Sequence, residues 1–133
     1  MLQIKDLYVN CNYFILSNHL EICTILEITD EVNIKIKCGD TIESLTIWDL
    51  KGIEPTDQFF NLRCDENESL GNDRIWKFNK TKHPFTIYRR NGSLYYSNGA
   101  IEKRNESPMS FNYIHELQSG HNSFFNELLV WDF

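Results

Sequence analysis

Aromatic and basic side chains, the residue types that bind nucleotide-like anions, crowd into one stretch of this sequence, positions 74–104. The stretch carries eight lysines and arginines but one acidic residue, Glu102, although the whole chain has a formal net charge of −6. Tyrosine rings offer stacking surfaces to a base, and arginine donates paired hydrogen bonds to a phosphate. The stretch therefore predicts an anion-binding face. The alternative is a solvated strand edge whose cations discourage pairing between molecules.

Five residues of this stretch are the candidate ligand-binding residues: Tyr88, Arg89, Arg90, Tyr95 and Lys103. They would hold a nucleotide-like small molecule or a host protein, because tyrosine and arginine also dominate the energetics of protein interfaces. The competing interpretation is structural: Tyr88 and Tyr95 would stack across two strands while Arg90 pairs with Glu102. The sequence leaves both interpretations open.

Two Asn-Gly pairs, at 91–92 and 98–99, predict tight turns joining three antiparallel strands at 84–90, 93–97 and 100–104. Pairing across these turns would place the following residues opposite each other: Arg90 and Ser93, Tyr88 and Tyr95, Ile87 and Tyr96, Tyr96 and Ile101, and Tyr95 and Glu102. Side chains alternate between the faces of a sheet. The predicted core face carries Phe85, Ile87, Leu94, Tyr96 and Ile101. The predicted surface carries Thr86, Tyr88, Arg90, Tyr95 and Glu102.

The first fifty residues contain five short runs of alternating apolar and polar residues, separated by Asn, Asp and Gly. This pattern predicts a small curved β-barrel of the Src-homology-3-like kind, closed by a helical turn and a last short strand. A two-turn helix is expected at 57–63, with Thr56 as its N-terminal cap. The polar, acidic segment 65–73 is expected to be a mobile loop or a boundary between lobes.

The C-terminal part predicts a helix capped by Ser110 or Asn112 and running to about Phe125, with Gly120 weakening its middle. The apolar tail, 128–133, should pack as a strand or an anchoring segment, or mediate a contact between copies of the chain. The predicted fold is α+β and mainly β: a small barrel, a short helix, an antiparallel meander with two Asn-Gly hairpins, and a C-terminal helix. We expect a single compact domain over 1–133, with lobes at 1–54 and 55–133 as the alternative.

The sequence contains no catalytic or metal-binding motif. His115 and His121 are six residues apart, which puts them on different sides of a helix and not at the His-Glu-x-x-His spacing of zinc proteases. Cysteines without a Cys-x-x-Cys pair are expected to be buried hydrophobes or free thiols: Cys11, Cys23, Cys38 and Cys64. We expect no catalytic residue, metal or cofactor. A site assembled in space, such as Asp73 with His83 or Glu102 with His115, remains open.

Length and composition describe a globular protein of 133 residues with 41% hydrophobic residues. No apolar run approaches the roughly 20 residues that cross a membrane, and the N-terminus lacks the pattern of a signal peptide. We therefore expect a cytoplasmic protein without a membrane partner. The negative net charge argues against broad nucleic-acid binding, which depends on neutralising phosphates.

Two motifs, LKGIEPTDQFF at 50–60 and YIHELQ at 113–118, resemble segments of a family of small uncharacterised proteins from bacterial genomes and their integrated phages. The first is similar to that family's Ile-Pro-Leu-Thr-Glu-Glu-Trp-Leu element, and the second to its Tyr-Val-His-Glu-Leu-Gln helix. The family usually continues with Asn-Leu-Tyr-Phe, where this chain has Ser-Gly-His-Asn at 119–122. The resemblance implies a phage or mobile-element setting and a barrel-plus-sheet architecture, but no assigned activity.

These observations favour a non-enzymatic binding protein: a phage-encoded accessory or anti-defence factor that sequesters a nucleotide-derived signal or inhibits a host defence protein. One alternative is a small enzyme, a nuclease or nucleotide-cleaving protein, with a spatially assembled His/carboxylate site. Another is a structural or assembly protein of a phage or mobile element that self-associates through its C-terminal tail.

Overall fold

The computed structural model of the protein describes residues 7–15, 21–97 and 109–131. These residues form two five-stranded antiparallel sheets, and a helix follows near the C-terminal end. The prediction of a mainly β protein with a C-terminal helix is confirmed. Among the described residues no helix is both long enough and apolar enough to cross a membrane.

The first sheet is built from five strands in the order β4-β3-β2-β1-β5. Their bounds are β1 (Asn12–Ile15), β2 (Ile22–Ile28), β3 (Asn33–Cys38), β4 (Thr41–Thr46) and β5 (Leu50–Gly52). A 3-10 turn, Ile47–Asp49, connects β4 to β5, so the predicted helical turn and last short strand are both present. Within the described residues no strand pairs with the outer edges of β4 and β5, so this sheet is open and the predicted closed barrel is not confirmed.

The alternation of apolar and polar side chains along β3 determines which face of this sheet is buried. Ile34 and Ile36 are buried at 1% and 0% exposure, whereas Lys35 between them is exposed. The apolar side chains of one face pack together as the first core, whose buried members are Leu7, Cys11, Tyr13, Cys23, Ile25, Ile34, Ile36, Ile47 and Leu50.

All four cysteines are free, as predicted, and Cys11 and Cys23 are completely buried. Burial raises the pKa of the Cys11 thiol to about 11 and that of Cys23 to about 12. Both thiols therefore stay protonated near neutral pH and act as small hydrophobic side chains.

The second sheet has the order β10-β9-β8-β7-β6. Its strands are β6 (Glu66–Leu70), β7 (Asp73–Phe78), β8 (Phe85–Arg90), β9 (Ser93–Ser97) and β10 (Met109–Phe111). Its inner face forms a second core with the two helices and the tail, and the buried members of this core are Phe60, Trp76, Phe78, Phe85, Ile87, Leu94, Tyr96, Phe111, Leu117 and Leu129.

The prediction of a mobile loop at 65–73 is wrong, because Glu66–Leu70 forms the edge strand β6. All five residues of β6 are exposed, so no alternating apolar pattern marks the strand. Backbone pairing with β7 holds it, across a two-residue turn in which Gly71 has a φ of +66°. Glycine adopts this φ without strain and suits the first position of a type II′ turn.

The register predicted across the first Asn-Gly turn is confirmed. Tyr88 lies opposite Tyr95, Ile87 opposite Tyr96, and Arg90 opposite Ser93. The φ angles of the two turn residues are +53° and +82°, as a type I′ turn requires. The predicted core side chains are buried in the described part of the meander, namely Phe85, Ile87, Leu94 and Tyr96. The surface prediction is wrong for Thr86 and Tyr88, which are buried at 8% and 7% exposure because both faces of β8 are covered over its first four residues.

The pairing predicted on the other side of β9 is wrong. Met109 lies opposite Tyr96 and Ser110 opposite Tyr95, so these positions are taken by β10 and not by Ile101 and Glu102. The physical reason is that β10 brings Phe111, which is 2% exposed, into the second core. The predicted turn at 98–99 and strand at 100–104 lie outside the described residues.

The described part of the chain also contains two α-helices, α1 (Asp57–Asn61) and α2 (Ile114–Phe125). The cap predicted for α1 is confirmed, since Thr56 Oγ1 accepts a hydrogen bond from Phe59 N at 3.1 Å. The cap predicted for α2 is wrong: Tyr113 precedes the helix, not Ser110 or Asn112. Glu116 Oε1 accepts hydrogen bonds from Asn112 N and Tyr113 N, each at 3.0 Å, and this fixes the helix start.

Helix α2 joins the two sheets through a fully buried side chain, Gln118. Its amide exchanges hydrogen bonds with the backbone N and side chain of Asn12 on β1, and its Nε2 also donates to Leu129 O at 2.7 Å. In the tail, Leu129 is buried and Trp131 packs edge-on against Phe59 with ring centroids 5.5 Å apart. The described tail is therefore an anchoring segment, as predicted.

Candidate functional site

Three of the five candidate residues meet on one face of the second sheet. Tyr88 and Tyr95 stack across β8 and β9, with ring centroids 5.2 Å apart and planes 19° apart. The guanidinium carbon of Arg90 lies 5.2 Å from the centroid of the Tyr88 ring. We call Tyr88, Arg90 and Tyr95 the aromatic-arginine cluster. The negative face of the tyrosine ring attracts the cation above it and orients the arginine.

The members of this cluster differ in how much solvent they meet. Tyr88 is only 7% exposed, whereas Tyr95 is half-buried and the Arg90 side chain is 57% exposed. Burial raises the pKa of the Tyr88 phenol, and the nearby Arg90 charge opposes this rise only in part. Tyr88 therefore stays neutral and supports the cluster from beneath, while Arg90 and Tyr95 present the surface that a ligand would contact.

The acidic neighbour of Arg90 is Asp73 on β7. Arg90 Nε lies 3.9 Å from Asp73 Oδ2, and both side chains are more than a third exposed. An exposed ion pair at this distance contributes little to stability. A ligand phosphate can therefore replace Asp73 at low cost. The partner predicted for Arg90 in the structural interpretation, Glu102, lies outside the described residues.

Arg89 points to the opposite face of the sheet and serves another purpose. Its Nε donates to Asp57 Oδ1 at 2.9 Å, its Nη2 lies 2.8 Å from the same oxygen, and its Nη1 donates to Gly92 O at 3.2 Å. These contacts tie the start of α1 to the Asn-Gly turn. Arg89 is thus not brought to the aromatic-arginine cluster, and Lys103 lies outside the described residues.

A second group of polar side chains is assembled around the C-terminal end of α2. The Tyr96 hydroxyl lies 2.7 Å from His121 Nδ1, and His121 Nε2 lies 3.0 Å from Glu127 Oε1. The other oxygen of this carboxylate, Oε2, lies 3.9 Å from His83 Nε2. Glu127 therefore stands between two imidazoles, one fully buried and one with its side chain 32% exposed.

The inner part of this group forms a neutral hydrogen-bonded chain. Burial lowers the pKa of His121, and Glu127 opposes the shift. Burial also raises the pKa of the Tyr96 phenol far above neutrality. The Tyr96 hydroxyl then donates to Nδ1, and Nε2–H donates to Glu127.

A cavity of about 310 Å³ opens between β10 and the first turns of α2. The ring of His115 lies between those of Tyr13 and Tyr113, with centroids 4.7 and 5.6 Å away. The described lining is mostly polar and includes no lysine or arginine: Met109, Ser110, His115, Glu116, Ser119, Gly120 and Ser123.

Sequence reasoning missed the pairing of His83 with Glu127, having considered His83 with Asp73. Residues 83 and 127 are far apart in sequence, and no spacing rule links them. A signal for the buried polar groups of α2 did exist, because Gln118 and His121 share the helical stripe of Ile114 and Leu117. Polar residues on an apolar stripe indicate buried hydrogen bonds.

Among the residues that the structure describes, no group of three or more histidine, cysteine or acidic side chains is arranged to hold a metal ion. Comparison of the chain with protein-family models, with curated proteins and with solved structures finds no match.

Proposed function

We propose that this protein is a non-enzymatic binding protein whose aromatic-arginine cluster holds a nucleotide-derived anion. One observation carries the proposal: the exposed guanidinium of Arg90 lies over Tyr88, beside the half-buried ring of Tyr95. A hydrogen-bond donor for a phosphate group, Arg90, and a stacking surface for a base, Tyr95, therefore lie on the adjacent strands β8 and β9. Both strands are paired on each side, so the cluster sits on a rigid scaffold.

The stacking contact with Tyr95 and the phosphate hydrogen bond from Arg90 determine how tightly a nucleotide could bind. Stacking of a base on an aromatic side chain contributes about 1–3 kcal/mol, and a hydrogen bond to a charged group about 1.5–3 kcal/mol. Their sum, about 2.5–6 kcal/mol, corresponds to dissociation constants from roughly 15 mM to roughly 0.04 mM for a mononucleotide, before the cost of association is subtracted. A ligand with a second phosphate or base, or a protein partner covering the same surface, would bind more tightly.

The proposed setting follows from the resemblance to small bacterial and phage proteins. In that setting the protein is a phage accessory or anti-defence factor in the host cytoplasm, which sequesters a nucleotide-derived signal or inhibits a host defence protein. For the first sheet we propose an opened Src-homology-3-like barrel. The return of β5 to β1 after a 3-10 turn supports this relationship.

The test is mass spectrometry of small molecules extracted from the protein after purification from bacteria. The Arg90→Ala variant is compared with Arg63→Ala, since the Arg63 guanidinium carbon also lies over a ring, 3.9 Å from the Phe59 centroid. We expect a nucleotide-derived compound with the wild type and with Arg63→Ala but not with Arg90→Ala. Equal amounts of the compound with all three proteins would contradict the proposal.

A second candidate function, a small nucleotide-cleaving enzyme, is favoured by the carboxylate of Glu127 beside the partly exposed His83. A histidine oriented by a carboxylate is a general acid or base near neutral pH. The test is hydrolysis of a nucleotide panel by the wild type, His83→Ala and Glu127→Gln. Activity lost in His83→Ala, with the unfolding temperature retained, would favour the enzyme, and an inactive wild type would exclude it for that panel.

A further inference from the structure

We propose that the cavity between β10 and α2 is a second binding site, for an organic cation that carries an ammonium or guanidinium group on a short alkyl chain. The site lies on the helix side of β10 and uses none of the residues of the aromatic-arginine cluster. It is therefore independent of the function proposed above.

The cavity is rich in hydrogen-bond acceptors. On α2, Ser119 and Ser123 contribute hydroxyl oxygens and Glu116 contributes a carboxylate. Ser110 also lines the cavity, but its side chain shares the face of Tyr95, opposite to Met109. The Ser123 hydroxyl donates to Gly120 O at 2.9 Å, which leaves its oxygen lone pairs to accept hydrogen bonds. An ammonium group has only donors to offer and a guanidinium has five, so either matches this lining better than an anion does.

Glu116 supplies the negative charge of the site and also begins the helix. Its Oε1 accepts the backbone hydrogen bonds of Asn112 and Tyr113. A carboxylate has two oxygens and about four acceptor positions, so acceptor capacity remains for a ligand cation. A charge-assisted hydrogen bond between this carboxylate and an ammonium would be stronger than one to a neutral acceptor.

The remaining wall of the cavity fits the alkyl part of such a ligand. Met109 is a flexible thioether that adapts to irregular shapes, and it occupies the space beside Gly120 where a side chain would collide with it. A volume of about 310 Å³ is at the lower end of the size range for small-molecule sites. The protein's net charge of −6 raises the local concentration of cations around it.

The test is titration calorimetry of the full chain with three probes and one control ligand. Putrescine and agmatine represent free amine and guanidine metabolites, and N-acetyl-lysine methylamide represents a lysine side chain of a protein partner. Inorganic phosphate is the anionic control. Binding of the first two probes alone would identify a metabolite site, and binding of the lysine analogue a protein-recognition site.

The decisive variant is Glu116→Gln, because glutamine retains the Oε1 acceptor that caps α2 but removes the charge. Glu43→Gln on the exposed edge strand β4 makes the same change of charge in the first sheet and is the matched control. We expect Glu116→Gln to weaken cation binding about tenfold or more and Glu43→Gln to leave it unchanged.

Ser119→Leu provides a second variant that does not touch the helix cap. Ser119 is exposed on α2 and lines the cavity, so leucine there would fill the space without entering the core. The Ser119 side chain also interacts with the hydroxyl of Tyr8, so Ser119→Ala, which removes the hydroxyl without filling the cavity, is the control for stability. We expect loss of cation binding in Ser119→Leu at an unfolding temperature equal to that of Ser119→Ala. The proposal would be overturned if none of the three cationic probes binds, if phosphate binds equally well, or if wild-type affinity persists in both Glu116→Gln and Ser119→Leu.

Discussion

Gln118 and Asn12 form a reciprocal buried pair, although 106 positions separate them in the chain. Gln118 Oε1 accepts from Asn12 N at 3.3 Å, and Gln118 Nε2 donates to Asn12 Oδ1 at 3.1 Å. The pair connects the helix under the second sheet to the first strand of the first sheet. This pair helps to fix the relative position of the two sheets, together with the contact between the rings of His115 on α2 and Tyr13 on β1.

Replacement of Gln118 by Leu should destabilise the protein strongly. Leucine preserves the volume but leaves the amide N and side chain of Asn12 and the carbonyl of Leu129 without their buried partner. We expect the free energy of unfolding to fall by about 2–4 kcal/mol in urea denaturation. Gln58→Leu, the same substitution at an exposed position of α1, should change it by less than about 0.5 kcal/mol.

Gly52 permits the close approach of β5 to the start of α2. A Cβ atom at this position would lie 2.7 Å from Tyr113 Cγ and 3.0 Å from His115 Cε1. We predict that Gly52→Ala lowers the free energy of unfolding by about 1–3 kcal/mol, because two packed rings must move. Thermal denaturation measures this loss of stability. Lys51→Ala, at the exposed neighbouring position, should have little effect in the same experiment. Equal stability of Gly52→Ala and wild type would show that the rings are free to move.

Much of this architecture follows from local sequence, and the exceptions have physical causes. Apolar alternation and the Asn91-Gly92 turn specify strands β1 to β4, β8 and β9, because both signals are local. The first of the five alternating runs, 4–9, forms no strand over its described residues, 7–9. Strand β6 was missed because an edge strand that buries no side chain has no apolar pattern, although Gly71-Asn72 marks its turn. The position of β10 depends on Phe111 reaching the second core, which only the complete fold reveals.

The candidate site was predictable only in part, because some of its contacts depend on elements that are distant in sequence. Alternation and register bring Tyr88, Arg90 and Tyr95 together, and both are read from sequence. The sequence does not show that Tyr88 is buried, nor that Arg89 is engaged by Asp57 on α1, because these depend on which elements pack over the sheet. The same holds for the pairing of Glu127 with two histidines.

The buried His121 should make stability depend on pH. Burial lowers its pKa in the folded protein, so the unfolded chain, in which a histidine titrates near 6.5, binds the proton more readily. Stability should therefore be complete above pH 6.5 and fall as the pH drops from 6.5 towards the lower pKa of the folded state. Thermal unfolding between pH 5 and 8 measures this, and His121→Gln should flatten the part of the curve below 6.5. A wild-type curve that rises on acidification would contradict the assignment.

Arg89 should contribute to stability and not to ligand binding. Loss of its contacts with Asp57 and Gly92 in Arg89→Ala should cost about 0.5–1.5 kcal/mol, since the pair is partly exposed to solvent. Chemical denaturation measures this cost, while nucleotide affinity should remain at the wild-type level. An affinity reduced as much as in Arg90→Ala would show that Arg89 reaches the ligand.

The most direct test of the binding function is isothermal titration of purified protein with a panel of mononucleotides, dinucleotides and cyclic nucleotides. We predict measurable binding by the wild type and by Arg63→Ala. Affinity should fall at least tenfold in Arg90→Ala, through loss of the phosphate contact, and at least fivefold in Tyr95→Ala, through loss of stacking. Wild-type affinity in both Arg90→Ala and Tyr95→Ala, or no binding of any nucleotide by the wild type, would contradict the account.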